Sequence, residues 1–72
     1  MTAENAYANA ARIRKAETLA HLAARHGLHS ADLSLMRDKE WSLLAQAAHV
    51  NPGSQTTRDL VIRLAEESEA AS

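Results

Sequence analysis

The chain has no cysteine, no phenylalanine, one proline, two glycines, one tryptophan and one tyrosine in 72 residues. Without cysteine it has neither a disulfide framework nor a thiolate metal site. With so few residues that break helices, long stretches are free to run as helix, and the few breakers present mark where helices end. Hydrophobic residues make up 46% but aromatic ones only 3%. Much of the apolar content is therefore alanine, which favours helix yet buries little area. Leu, Ile, Val and Trp41 must carry the core. No apolar run reaches about 18 residues before a charge interrupts it, so no membrane span is expected. The start lacks the basic region and apolar run of a signal peptide, which makes the cytoplasm the expected location.

Residues 1–72 read as a single helical domain, with 1–10 and 69–72 expected to fray. A chain of this size buries only roughly 60% of its unfolded surface, and a single small core supplies about 3–5 kcal/mol. A homodimer is therefore expected. The net charge of −1 hides an asymmetry. Residues 1–29 set Arg12, Arg14, Lys15 and Arg25 against Glu4 and Glu17, while residues 30–72 carry an acidic excess. Such a balance excludes a strongly basic coat but leaves room for a local basic face.

The periodicity predicts an all-α fold: a long first helix, a short connecting turn and two C-terminal helices set at an angle. The first helix spans residues 2 to about 26, with Ile13, Ala16, Leu19, Ala20 and Ala23 on the side expected to face the core. Gly27 followed by Leu28 has the form of a Schellman stop. On the opposite side Arg14, Thr18, His21 and Arg25 form a polar line in which Arg14, His21 and Arg25 are candidates for phosphate or partner contact. Ser30 is the expected cap of a short linking turn through Leu33 and Met36. The next helix starts at either Arg37 or Asp38; a cap at Arg37 would place Glu40 at the third helical position. Both registers bury Trp41, whose face continues through Leu44, Ala45 and Ala48. Asn51-Pro52-Gly53-Ser54 forces a turn. The last helix then runs to about Glu69 and buries Leu60, Val61 and Leu64. Ile62 falls off that face and is the candidate dimer contact.

Chemistry is sparse. His21, His26 and His29 do not share a helical face at ligand spacing, so no metal site is expected. No Ser, His and acid combination forms a motif, so neither an enzyme nor a cofactor is expected.

Residues 43–64 carry one recognisable pattern. Leu44-Ala45-Gln46-Ala47-Ala48-His49-Val50-Asn51, followed by Thr56-Thr57-Arg58 and Leu60-Val61, resembles the helix-turn-helix of bacterial DNA-binding regulators. His49 stands where that pattern usually has glycine. Pro52-Gly53 read as an insertion that lands Thr57, Leu60 and Val61 on the buried positions. The resemblance implies a small DNA-binding regulatory protein, of the kind that mobile elements encode, with Asn51, Ser54, Gln55, Thr56 and Arg58 as candidate DNA contacts. The alternative is a non-enzymatic helical adaptor or inhibitor that binds another protein through its first helix.

Overall fold

The computed structural model describes residues 3–71, with side chains described from Asn9 onward. It is all-α, with helices α1 (Ala3–Arg25), α2 (Ser30–Leu35), α3 (Asp38–Ala47) and α4 (Gln55–Ala71). The helix ends follow from local hydrogen-bond chemistry. After α1, Gly27 N–H donates to the Ala24 carbonyl at 3.0 Å and Leu28 N–H to the Ala23 carbonyl at 2.9 Å, with Gly27 at φ 75°. This is the Schellman stop expected from Gly27-Leu28.

α3 ends by the same device. His49 N–H donates to the Gln46 carbonyl at 3.0 Å and Val50 N–H to the Ala45 carbonyl at 3.1 Å. Here, however, the left-handed residue is His49, at φ 59°. A side chain with a Cβ costs about 1–2 kcal/mol in that conformation. His49→Gly is accordingly expected to stabilise the fold by up to about 1 kcal/mol, part of the relief being offset by the greater freedom of glycine in the unfolded chain. The midpoint of urea unfolding measures the change; a lower midpoint would show that the imidazole makes contacts worth more than the strain.

The starts of α2 and α3 are set by acidic side chains. His29, rather than the expected Ser30, occupies the cap of α2, and its N–H donates to Asp32 Oδ2 at 2.8 Å. Ser30 is the first helical residue, and its N–H and hydroxyl both donate to the Glu69 carboxylate, at 2.7 and 2.8 Å. That tether holds the C-terminal part of α4, which runs to Ala71, against the start of α2. At α3 the cap is Arg37, whose N–H donates to Glu40 Oε1 at 3.0 Å. The carboxylate at the third position therefore selects between the two registers.

Between α3 and α4 the chain doubles back. Asn51 Oδ1 accepts from Gly53 N–H at 3.1 Å, and the Pro52 carbonyl accepts from Trp41 Nε1 at 3.2 Å. The end of the connector thus lies beside the start of α3. Gly53 is required there twice over: its φ is 75°, and a Cβ would stand 2.9 Å from Thr57 Oγ1.

The main packing is between α1 and α4, with α2 resting on α4 and α3 on α1. The core comprises Ala16, Leu19 and Ala23 of α1, Leu33 of α2, Trp41, Leu44 and Ala45 of α3, and Val61 of α4. Four expectations change. Ile13 is 47% exposed instead of facing the core, because it lies to one side of the Ala16, Leu19 and Ala23 stripe that packs inward, on the edge that borders Thr56, Leu60 and Arg63 of α4. Leu60 and Leu64 are half-buried, since they edge the α1–α4 contact while Val61 fills its centre. Ile62 is also half-buried and packs against the core, so it does not offer the projecting apolar surface expected of it. Leu33, in the short linking helix, is fully buried.

Candidate functional site

The five candidate DNA contacts gather around the start of α4, but they differ in what they are free to do. Ser54 and Thr56 are exposed. Asn51 is exposed too, yet its carbonyl oxygen closes the turn on Gly53. Gln55 Nε2 donates to Asp59 Oδ1 at 2.9 Å. Arg58 is spoken for inside the fold. It is 8% exposed, its Nη2 donates to the Leu33 carbonyl at 3.1 Å and to the Met36 carbonyl, and its Nη1 stands 3.5 Å from Asp38. The guanidinium also lies over the Trp41 ring, 5.2 Å from its centroid. A planar fork with several donors suits this position, where helical carbonyls at the end of α2 lack partners from their own helix. Arg58 ties α4 to α2 and α3, and its guanidinium is engaged by contacts within the fold.

The signal for this was in the sequence. Arg58 follows Thr57 and precedes Val61 by three positions, which places it within the buried stripe of α4. A cation there needs carbonyls or carboxylates around it, and only a chain passing across the helix can supply them.

On α1, Arg14 and Arg25 are exposed, as expected of the outer line, and the Arg14 carbonyl accepts from Thr18 Oγ1 at 3.0 Å. His21 is exposed as well, and it borders a cleft between α1 and α4.

That cleft is a concave surface with a mainly apolar floor. α1 and α4 run in the same direction. Asn9, Arg12 and Ile13 lie across from Thr56, Leu60 and Arg63, and Ala20 and Ala24 lie across from Leu64, Ala65 and Ser68. Residues 9, 13, 17, 20 and 24 share one stripe of α1, and residues 56, 60, 64 and 68 form one ridge of α4. The two hollows, of about 340 and 350 Å³, lie one after the other along the α1–α4 junction and together are termed the groove. The floor of its larger hollow is Ala20, Ala24, Leu28, Leu64 and Ala65, with Glu17, His21, His29 and Glu69 at the rim. Two hydrogen bonds from Ser30, first from its backbone and then from its hydroxyl, hold the Glu69 carboxyl below its ordinary pKa. The opposite end carries Arg12 and Arg63, neither of which is ion-paired among the described residues.

Sequence reading missed the groove, along with Arg12, Arg63 and Ile13 as functional candidates. Ala and Leu at helical spacing announce a packed face equally well, and only the pairing of α1 with α4 leaves that face half open. Among the described residues no group of three or more His, Asp or Glu side chains is placed to hold a metal ion, and no helix is long and apolar enough to cross a membrane. No protein-family model, curated protein or solved structure matches the chain.

Proposed function

We propose that this chain is a small non-enzymatic interaction module that works by holding a helix of a protein partner in the α1–α4 groove. The observation that carries this reading is the groove itself. Its floor is apolar, its alanines let another backbone approach closely, and its charged rim gives such a contact a direction. What lines it offers burial and charge pairing instead of a nucleophile held by a base.

A second reading keeps the helix-turn-helix resemblance and a regulatory role on DNA. It is favoured by one observation: the exposed Thr56 at the start of α4 lies beside Arg12 and Arg63, cations suited to phosphate. Against it, Arg58 is committed to the core and Asp38 and Asp59 bring negative charge to the same end.

One experiment separates the two. A photoreactive benzoylphenylalanine replaces Ala24, Thr56 or Arg14, each of which is exposed, and the cells are irradiated. The groove reading predicts a defined protein adduct from position 24. Nucleic-acid adducts from position 56 with none from 24 would install the DNA reading, and adducts from position 14 alone would move the contact to the outer line of α1.

A further inference from the structure

We propose that the occupant of the groove is a second copy of the same chain, laid antiparallel across it about a two-fold axis. The inference rests on the groove reading above and names the partner. The two ends of the groove are opposite in charge and in shape. One end carries Arg12 and Arg63 beside Ile13, which projects with 47% of its surface exposed. The other carries Glu17 and Glu69 around the hollow floored by small side chains. A two-fold axis perpendicular to the groove superposes each end of one copy on the opposite end of its partner, so that projection meets hollow and arginine meets glutamate at once.

The spacing permits both insertions together. From Ile13 to the Ala20–Ala24 stretch α1 rises roughly 10–16 Å. An axis crossing the groove near Glu17 therefore brings the Ile13 of each copy over the hollow of the other, and because it exchanges the two sides of the groove it lays α1 of one copy over α4 of its partner, setting Glu17 against Arg63 and Arg12 towards Glu69. A contact in which each copy gives the same patch closes on itself, producing a dimer and no longer chain. The unpartnered charges fit the same arrangement. Arg12 and Arg63 have no ion pair within the described part of their own chain, and Glu17 has none either. The motive for association is the small, alanine-rich core, since burying Ile13 and the hollow adds apolar area that one copy alone leaves wet.

Sedimentation equilibrium on the full chain tests this with four variants: Ile13→Ser, Arg63→Glu, Glu17→Arg and the double variant Arg63→Glu/Glu17→Arg. All alter exposed residues, and circular dichroism verifies that each stays helical. The wild type is expected to dimerise in the micromolar range. Ile13→Ser should abolish the dimer. Each single charge reversal should weaken it about tenfold, because the symmetric contact contains every change twice. The double variant should recover to within about threefold of wild type, since reversing both signs restores the pairing across the axis. A monomer at every concentration overturns the proposal; if position 24 still yields a heavier adduct in cells, the groove reading survives with a different partner. A dimer indifferent to all four variants also overturns it and moves the interface elsewhere, with Leu35 and Leu43, 82% and 58% exposed, as the next surface. Weakening by the single reversals without recovery in the double variant excludes the antiparallel arrangement.

Discussion

Arg58→Ala is expected to destabilise the fold by about 3 kcal/mol and to leave little folded protein at 37 °C, because a small core supplies only about 3–5 kcal/mol in total. The loss has two sources. Truncation strands the Leu33 carbonyl, a buried acceptor, together with the partly buried Met36 carbonyl. Leaving such a group unpaired costs about 1–3 kcal/mol. It also removes the cation over the Trp41 ring, worth about 0.5–2 kcal/mol. The Asp38 contact adds little, since that carboxylate is fully exposed and a solvated pair is worth little. Arg58→Lys should fall between the two, as one ammonium cannot span two carbonyls with the fixed fork of a guanidinium. Thermal melts followed by circular dichroism measure both variants. An Arg58→Ala protein melting with the wild type would return the side chain to the surface and revive it as a DNA contact.

Trp41→Ala is expected to cost about 3–5 kcal/mol, the range for truncating a large buried aromatic. Trp41 is buried in the core, and three things depend on it. It fills the space between α3 and the rest of the core, it faces the Arg58 guanidinium, and its indole N–H donates to the Pro52 carbonyl to hold the returning connector. Trp41→Phe keeps most of the burial and loses that hydrogen bond, so it should cost about 1 kcal/mol. The same melts distinguish these outcomes. Near-native stability of the alanine variant would mean that the connector and α3 hold together without the indole.

These two residues illustrate where the sequence was legible. Trp41 was readable because size and helical spacing both assign it to the interior. Helix ends were readable for a local reason: Gly27, Glu40 and the Asn51–Ser54 turn act on backbone groups within a few residues. The partners of α1 and α4 were not. Their pairing joins residues some forty positions apart, and no local pattern specifies whether two such helices run parallel. That missing step moved Ile13 from core to rim. It made Leu33 a core residue instead of a link, and it hid the groove. Arg58 was misplaced by its chemistry, since an arginine near a helix start suits a base edge as well as it suits stray carbonyls. The His49 turn shows the converse. The resemblance has glycine there, and the chain adopts the glycine conformation with a histidine.

The proposed pairing of two copies through the α1–α4 groove is tested most directly by amide chemical-shift mapping of the wild-type protein across a concentration series. The prediction is a set of concentration-dependent shifts at Ile13, Glu17, Ala20, Ala24, Leu64 and Ala65, with Ser54 to Thr56 and the Leu35–Leu43 surface unmoved. Shifts confined to Leu35 and Leu43, or a spectrum unchanged from micromolar to millimolar concentration, would contradict it.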